Sequence, residues 1–498
     1  MRVLFADSVS NQNPDPLSTP MALLSIATYL KHHGHTVKIF ESGKNTKYKF
    51  KNIIKEFSPD IIGISLMTGN AIDDTIALSK IAKTAELTVV WGGFFPSSFP
   101  ELSLKTGSVD IVSIGEGEHT WLDLLDAIET QRPLDTVKGL AFIKDGQIIT
   151  TPQRDFADLS EFPALDWDLI DVNNCFYSYY YCKKTLYLYS SKGCPGQCTY
   201  CYNHNFHKSL RRTRPPEIIV KEITELVNKY GADGISFIDD LTFCNKEEVY
   251  NFCSKIKEAN LNFVWGGYGK TGLLDKEDFQ YMYDSGCRWM FFGVESGNKE
   301  ILKEIKKGVN FDTIEKTFID CADVGIITRG AFILGFPGET EEALRDTIEL
   351  ALKLKSSQVL INYYSLIPKS EAYLKMLSEG RFVQPESLQD FAKNFATFDT
   401  PTKNFSNIPD KDLKVVYSYF FIRKFLAKDF TNVDKINSWS AITLNILLKT
   451  LQESSIEKFF LSINRFTKIL FYALCQPKTR KKYGLNLNLL KNNKRKNT

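Results

Sequence analysis

Apolar residues in the first part of the chain fall into short runs that alternate with stretches of helical spacing. Strand-like runs stand at RVLFAD, TVKIFES, DIIGISLM, LTVVWGG and DIVSIGEGE. Between the first two, PMALLSIATYLKHHG places apolar residues at helical intervals and ends at Gly34. Apolar strands separated by helices are typical of a parallel sheet covered on both faces. Residues 1–145 are therefore predicted to form a doubly wound, flavodoxin- or Rossmann-like α/β domain, with a ligand crevice at the carboxyl ends of its strands.

The alternation of strands and helices resumes after an aromatic stretch. Residues 146–185 are predicted to be a connector that ends in CFYSYYYC and packs between two domains. Strand-like runs then follow at TLYLYSS, GISFIDD, LNFVWGGYGK, WMFFGVES, TRGAFILGF and QVLINYYSL. Strand-then-helix units in this number predict a partial (β/α)6 TIM-like barrel over residues 186–385, with functional groups at the carboxyl ends of the strands.

The last part of the chain loses this alternation, and residues 386–498 are predicted to be mostly helical with a basic tail. Two segments, DLKVVYSYFFIRKFLAKDF and SIEKFFLSINRFTKILFYALC, have the spacing of amphipathic helices with aromatic faces. Packing against the barrel is the favoured use of those faces, and peripheral contact with a membrane surface is the alternative. The basic stretch 477–498 is interpreted as a solvated tail, with a membrane or RNA contact as its alternative.

Composition narrows the class of protein and its compartment. Among 498 residues, 43% are hydrophobic and 24% charged, as in ordinary globular proteins. The net charge of +3 gives no global field that would attract nucleic acid, so no nucleic-acid partner is expected. The start of the chain lacks a signal-peptide pattern, and no run of about 18 apolar residues predicts a spanning helix. A reducing cytoplasm is the expected location, where clustered thiols bind metal or perform redox chemistry more often than they crosslink.

Three cysteines crowd into the segment SSKGCPGQCTYCYN as Cys194, Cys198 and Cys201. A structural zinc site closes its coordination with four ligands, and no fourth ligand follows in a matching pair. His204 and His207 lie close behind, so a zinc site is the alternative for this segment. Three thiolates on a cubane iron–sulfur cluster would leave one iron open to bind a substrate, which is a catalytic arrangement.

The Cys194-x-x-x-Cys198-x-x-Cys201 motif at the end of the first barrel strand resembles that of the radical S-adenosylmethionine (SAM) superfamily. The resemblance continues through RRTRPPEIIVKEI, ISFIDDLTF, FFGVESGNKEILKEIKKG and GAFILGFPGET. It implies a [4Fe–4S] cluster on the three cysteines, with SAM on the open iron. It also implies SAM contacts from Tyr200, Asp239, Glu295, Ser296, Ile333 and Gly335. The glycine-glycine-glutamate run expected after the second strand is absent, and Asp239 and Asp240 occupy that region.

The first domain resembles the cobalamin-binding domains that precede some radical SAM domains. Ser65 ends one strand, a double glycine ends a later strand, and IGEGE follows. The resemblance implies that cobalamin is bound by Ser65, Gly92, Gly93, Gly115 and Glu116. The Asp-x-His-x-x-Gly loop that supplies an axial histidine in other cobalamin proteins is missing, and Phe95 stands where relatives often have histidine. The alternative is a flavodoxin-like domain that has lost its ligand or holds another nucleotide.

Together these resemblances imply a radical SAM enzyme of the cobalamin-dependent methyltransferase kind. It would cleave SAM to a 5′-deoxyadenosyl radical and methylate an unactivated carbon of an unknown organic substrate. A low-potential flavodoxin or ferredoxin would donate the electron. The alternatives are a cobalamin-dependent radical cyclase or oxidoreductase, a non-enzymatic cobalamin or metal sensor, and a tRNA methylthiotransferase. The last of these is disfavoured because residues 1–174 contain no cysteine. No individual catalytic residue is assigned from the sequence.

Overall fold

The structure is a computed structural model that describes residues 1–7, 19–42, 46–67, 71–180, 182–395, 403–426, 476–483 and 485. The second predicted amphipathic segment, SIEKFFLSINRFTKILFYALC, and most of the basic tail lie outside these residues. Within them, no helix is long and apolar enough to cross a membrane.

The first domain is built on a seven-stranded sheet. Its strands are β1 (Arg2–Asp7), β2 (Thr36–Phe40), β3 (Ile61–Ser65), β4 (Thr88–Gly92), β5 (Ile111–Ser113), β6 (Leu140–Lys144) and β7 (Gln147–Thr150). Its helices are α1 (Met21–His32), α2 (Thr46–Phe57), α3 (Ile72–Thr84), α4 (Phe94–Ser98), α5 (Pro100–Lys105) and α6 (Glu118–Glu129). The strand order is β2-β1-β3-β4-β5-β6-β7, with the first five parallel and the last two antiparallel. Every residue of β3 is buried, as expected of a parallel strand covered on both faces.

The connector enters the second sheet through α7 (Val172–Cys175) and the short strand β8 (Tyr177–Tyr179). That sheet continues with β9 (Cys182–Leu188), β12 (Gly234–Phe237), β13 (Val264–Gly269), β14 (Cys287–Glu295), β15 (Ile327–Leu334) and β16 (Gln358–Tyr363). Two-residue strands β10 (Ser191–Lys192) and β11 (Arg212–Thr213) form a separate antiparallel hairpin. The sheet order is β16-β15-β14-β13-β12-β9-β8, so six parallel strands form the partial barrel and β8 closes one edge in antiparallel fashion.

Helices cover the outside of the second sheet and follow its strands in turn. They are α8 (Asn203–Phe206), α9 (Pro216–Tyr230), α10 (Lys246–Ala259), α11 (Lys276–Asp284), α12 (Lys299–Glu304), α13 (Phe311–Val324), α14 (Glu341–Lys353) and α15 (Glu371–Ser378). The C-terminal region contributes α16 (Leu388–Phe395), α17 (Asp410–Leu426) and α18 (Pro477–Lys482). In α17, Tyr417 stacks on Tyr363 of β16 with ring centroids 4.7 Å apart. This contact agrees with the prediction that the aromatic face of this helix packs on the barrel.

The connector tyrosines pack against the second sheet. Tyr177 lies 4.6 Å from the Tyr187 ring, and Tyr179 lies edge-on to Trp289 at 5.1 Å. Aromatic pairs at these distances and angles stabilise a contact beyond the area that they bury. The aromatic stretch singled out in the sequence therefore forms an edge of the barrel.

The fold class is confirmed: a doubly wound domain precedes a partial barrel of six parallel strands. The boundaries of the sheets differ from those predicted for the domains. The first sheet ends at Thr150 and not at 145, because the β6–β7 hairpin belongs to it. Strand β8 and the start of β9 likewise fall inside the predicted connector. Polar edge hairpins such as KDGQ at 144–147 lack the buried apolar runs from which the other strands were predicted.

Candidate active site

The three clustered cysteines lie on a loop closed by the β10–β11 hairpin. Lys192 on β10 stands opposite Arg212 on β11, and the cysteines lie between them in the chain. Gly193 begins the loop with φ +86°, and a Cβ atom there would lie 2.0 Å from the Leu210 carbonyl oxygen. Only glycine fits that position. The hairpin and this glycine therefore set the direction in which the cysteine loop leaves the barrel.

Backbone contacts hold the middle of the loop against two barrel helices. Thr199 donates its N–H to the Ile305 carbonyl at the end of α12, at 3.0 Å. Its own carbonyl accepts the N–H of Ala372 in α15, at 2.9 Å. The protein itself thus holds the loop from both sides.

The thiols of Cys194 and Cys198 both lie close to Gly196. A Cβ atom on that glycine would lie 3.3 Å from Sγ of Cys194 and 3.9 Å from Sγ of Cys198. Among the described residues, no three His, Cys, Asp or Glu side chains converge closely enough to chelate one metal ion. A cubane cluster bonds each thiolate through a separate iron, so its cysteines stand farther apart than the ligands of one ion. The donor set fits such a cluster.

Cys194 and Cys201 are poor acids in the protein without bound iron. Burial, assisted by the neighbouring Cys198, raises the pKa of Cys194, and burial raises the pKa of Cys201 to about 12. Bound iron reverses this preference because coordination removes the thiol proton outright. Cluster assembly at this loop therefore releases protons.

A buried ion pair lies beside the cysteine loop. Lys307 donates to Oε1 of Glu295 at 2.8 Å, and their side chains are 11% and 9% exposed. Burial and the Glu295 charge raise the pKa of the nearby Tyr200 phenol. Although burial opposes protonation of Lys307, Glu295 raises its pKa, with Cys198 and Cys201 adding to the effect. The positive charge of Lys307 would stabilise the thiolates of the loop or an anionic group of a bound ligand.

The backbone of Glu295 is strained, and its carboxylate points to Lys307. Glu295 ends β14 with φ +72°, in the left-handed region that non-glycine residues rarely adopt, and the β14–β15 register shifts there. A Cβ atom on Gly293 would lie 2.1 Å from Glu295 Oε1 and 2.9 Å from Lys307 Nζ. Gly293 thus leaves the space that the ion pair occupies. Strain of this kind accumulates at functional sites.

A cavity of about 560 Å³ lies behind the cysteine loop. Tyr200 forms one wall, and the Phe336 ring lies 5.7 Å from it on the loop after β15. Tyr364 at the end of β16 forms another wall, and its buried hydroxyl has no hydrogen-bond partner. A buried phenol without a partner fits a polar ligand atom at this point.

The remaining residues predicted to contact SAM have other contacts in the structure. Ser296 pairs with the Thr347 hydroxyl of α14 at 3.0 Å and accepts the Asn298 N–H, so it holds the turn after β14. The Asp239 carboxylate accepts hydrogen bonds from the backbone N–H and hydroxyl of Ser190 and from the Ser191 N–H, at 2.6–2.9 Å. Both carboxylate oxygens of Asp239 are therefore used in joining the ends of β9 and β12.

Two predicted backbone contacts lie on β15 and its following loop. Ile333 is partly buried on the strand, and Gly335 follows it with φ +87°. The Gly335 N–H donates to Oε2 of Glu339 at 2.6 Å. Glu339 is fully buried, and burial raises its pKa to about 7. Its carboxylate therefore fixes the glycine loop from within.

A larger cavity, about 1180 Å³ including its open mouth, separates the two sheets. Its first-domain wall includes all five residues predicted to bind cobalamin: Ser65, Gly92, Gly93, Gly115 and Glu116. The facing wall comes from the barrel and includes Lys192, Tyr202, Phe206, His207 and Asp240. Tyr202 follows the third cysteine directly, so the cavity reaches the cysteine loop.

Some glycines of this cavity are required by the backbone, and others leave space for a ligand. Gly93 has φ +102°, and a Cβ atom would lie 2.8 Å from the Leu66 carbonyl oxygen, so the backbone itself requires glycine. A Cβ atom on Gly92 would find nothing nearer than 3.9 Å, and one on Gly115 would find nothing within 4 Å. Gly92 therefore widens the cavity, as a cradle for a bulky ligand would require, whereas Gly115 leaves space but is also required by its φ of +82°.

Buried polar atoms on the barrel wall also fit a polar ligand. Nδ1 of His207 is buried without a hydrogen-bond partner, although Glu116 lies 3.7 Å and Asp240 3.9 Å from the ring. Burial lowers the pKa of this histidine and favours the neutral ring. The unpartnered His207 nitrogen and the open space at Gly92 fit cobalamin, a large molecule rimmed with amide groups.

Sequence reasoning missed Lys192, Lys307 and Glu339, and it considered His207 only as an alternative zinc ligand. Lys307 and Glu339 lie in runs whose neighbouring residues are exposed, so helical spacing did not distinguish them from surface charges. Lys192 had no signal of its own, because contact between the two domains sets its burial.

Comparisons with known proteins agree with this geometry. A family model described as the radical SAM superfamily matches residues 188–351, and one described as a B12 binding domain matches residues 12–125. An uncharacterized methyltransferase of Pyrococcus horikoshii is 30% identical over 343 residues, covering 67% of this chain and 73% of that protein. An anaerobic magnesium-protoporphyrin IX monomethyl ester cyclase of Synechocystis is 26% identical, covering 77% and 79% of the two chains.

A solved structure has the same fold along nearly the whole chain. The cobalamin-dependent SAM radical enzyme OxsB, with aqua-cobalamin and SAM bound, superposes with a TM-score of 0.72 at 16% identity. The superposition covers 98% of this chain and 81% of OxsB. The order of the two domains and the C-terminal helical region therefore belongs to a known architecture.

Proposed function

The chain belongs to the radical SAM superfamily and carries a B12-binding domain, and we propose that it methylates an unactivated carbon of an organic substrate. The observation that carries the proposal is the shared wall between its two sites. Lys192, two residues before the first cysteine, and Tyr202, next to the third, both line the large interdomain cavity. A methyl donor in that cavity and a radical source at the cysteine loop would therefore face the same space.

The cofactors supply the difficult chemistry, and the protein supplies their placement. When bound, the [4Fe–4S] cluster and SAM provide a 5′-deoxyadenosyl radical that removes a substrate hydrogen atom, and cobalamin provides the methyl group. Cys194, Cys198 and Cys201 would hold the cluster. Ser65, Gly92, Gly93, Gly115 and Glu116 would hold cobalamin in the large cavity.

The buried pair beside the loop suits the charged end of SAM. Lys307 would bind the methionine carboxylate, and Glu295 would accept the amino group or a ribose hydroxyl. Both side chains are already desolvated, so their interaction with a ligand charge is stronger than in water. Ser296 would orient the Glu295 turn through Thr347.

The adenine end of SAM would lie toward the cavity behind the loop. Tyr200, Ile333 and Gly335 would support it, with the free Tyr364 hydroxyl as a polar contact. Asp239 would act indirectly, because its carboxylate fixes Ser190 and Ser191 at the base of the cysteine hairpin.

A radical SAM enzyme needs an external reductant. We infer that a low-potential flavodoxin or ferredoxin supplies the electron, as the resemblance to radical SAM enzymes implies. Peripheral membrane contact through the C-terminal region stays a prediction. Of the two segments that suggested it, SIEKFFLSINRFTKILFYALC lies outside the described residues. The other packs on the barrel through Tyr417.

The test is anaerobic reconstitution with iron, sulfide and hydroxocobalamin, followed by incubation with S-adenosyl-[methyl-²H₃]methionine, a reductant and metabolite extract. We expect 5′-deoxyadenosine together with an extract compound that gains one labelled methyl group. A product without that gain would support a cyclase or oxidoreductase instead. Failure to bind hydroxocobalamin would refute methyl transfer, and failure to form 5′-deoxyadenosine would refute the radical mechanism. Cys194→Ala is the inactive control, and Cys253→Ala, a buried cysteine of α10, is its matched partner.

A further inference from the structure

Two ion pairs join the cysteine hairpin to a single segment of the first domain. Lys192 lies 2.8 Å from Glu118, the first residue of α6. Arg212, directly opposite on the hairpin, pairs with Glu116 through both of its terminal nitrogens, one at 3.0 Å. The four side chains are 3–20% exposed. Two cations on facing strands thus meet two carboxylates that are two residues apart.

Both pairs are tied further into the two domains. Glu118 also accepts the hydroxyl of Ser25 on α1 at 2.6 Å, and that hydroxyl lies 3.2 Å from the Tyr189 hydroxyl of the barrel. Arg212 donates to the Ala157 carbonyl of the connector at 2.8 Å. The carboxylates and the terminal nitrogens of this contact are hydrogen-bonded to several elements of both domains, so shifting one domain would break several bonds at once.

The first-domain segment that receives these pairs is also the wall of the large cavity. Gly115 and Glu116 line that cavity, and the Gly115 N–H donates to the Ser97 hydroxyl of α4 at 3.0 Å. Helix α4 begins directly after Gly93. A continuous set of contacts therefore runs from the residues flanking the cysteines to the double glycine.

Electrostatics make this contact sensitive to the loss of one charge. Lys192 and Arg212 would repel each other if their carboxylates were absent. Removing one partner of a buried pair leaves an uncompensated charge, which costs far more than the pair contributes. Conservative replacements that keep the charge retain the attraction.

We propose that the Lys192–Glu118 and Arg212–Glu116 pairs are a positioning clamp that sets the distance between the cluster site and the cobalamin site. This inference rests on the proposed function, since it assumes that both cofactors are bound. In this role the four residues act through the groups that they hold in place and are positioning residues, although Glu116 is also proposed to contact cobalamin.

The test measures the magnetic interaction between the reduced cluster and cob(II)alamin in the full-length protein. Both are paramagnetic, and the dipolar splitting of their EPR signals reports the distance between them. The variants are Lys192→Met and Arg212→Met, with Lys192→Arg and Arg212→Lys as charge-keeping partners. Lys31→Met is the matched control, because Lys31 of α1 pairs with Asp166 of the connector away from the hairpin. Only molecules that hold both cofactors contribute to the splitting, so partial loading does not obscure it.

For the wild type, Lys31→Met and both charge-keeping variants, we expect one narrow splitting. In each hairpin methionine variant we expect less than half of the doubly loaded molecules to keep that splitting, with the rest showing a weaker or broadened interaction. An unchanged splitting in both hairpin methionine variants would overturn the clamp. So would a methionine variant that takes up neither cofactor, since the pairs would then support folding and not position. A wild type that binds no cobalamin would instead count against the proposed function.

Discussion

Adjacent glycines in the large cavity allow one substitution to separate cofactor binding from folding. Gly92→Val would place a side chain in open space, because the nearest atom to its Cβ position is 3.9 Å away. Glycine at a strand position also costs about 0.5–1 kcal/mol relative to alanine, so the thermal midpoint should stay or rise. A ligand pressed against the new methyl groups would lose about 1–3 kcal/mol of binding free energy, which is the cost of overpacking in protein cores. The dissociation constant for hydroxocobalamin should therefore rise by about 5- to 150-fold.

The same substitution one residue later should have the opposite outcome. Gly93→Val would force a left-handed backbone at φ +102° and place Cβ 2.8 Å from the Leu66 carbonyl oxygen. A positive φ with extended ψ is essentially restricted to glycine and costs about 1–3 kcal/mol for other residues. In a domain of about 150–250 residues that lowers the melting temperature by about 2–12 °C. Equilibrium titration with hydroxocobalamin and thermal unfolding of the apoprotein measure both quantities. Tight binding by Gly92→Val, or equal melting temperatures for the two variants, would refute the reasoning.

Three further changes test the site and its support. Cys194→Ala should abolish the charge-transfer absorption of the reconstituted cluster while Cys253→Ala retains it; equal iron content in both would contradict the ligand assignment. Arg214→Met should destabilise the protein by about 3–5 kcal/mol because Glu222, fully buried, would lose its partner. Lys353→Met, at an exposed pair with Glu315, should cost less than about 1 kcal/mol, and urea unfolding compares the two. Burial raises the pKa of Glu339 from 4.5 to about 7, so its stabilisation is full below pH 4.5 and is lost as pH rises through 7. Relative to the Glu339→Gln variant, the free energy of unfolding of the wild-type apoprotein should fall by about 3 kcal/mol between pH 4.5 and 7. The same difference between the two proteins at both pH values would contradict this.

Local patterns in the sequence were sufficient to predict the two sheets. The runs of β1, β3 and β12 are buried at nearly every residue, so their composition alone identifies them. The β6–β7 hairpin was missed because its turn is polar and the edge strand β7 is polar at both ends. The cysteine loop was predictable because its three cysteines lie close together in the chain.

Residues whose role depends on tertiary contact were beyond sequence reasoning. Asp239 ends a predicted strand as expected, yet its carboxylate binds the backbone of Ser190 and Ser191, which only the packing of β9 beside β12 brings within reach. Lys192 appears in the sequence as an ordinary lysine beside a glycine. Its burial depends on a carboxylate from the other domain, and the spacing of residues gives no sign of that partner.

The anchoring of Thr199 has a consequence for how the enzyme is made. One of its backbone hydrogen bonds goes to Ile305 and the other comes from Ala372, both far along the chain. The cysteine segment leaves the ribosome long before either partner has been synthesised. Its final shape must therefore wait until the last barrel helix has docked. Iron is expected to enter a nearly finished molecule, and truncation before α15 should leave thiols that are present but not arranged to receive it.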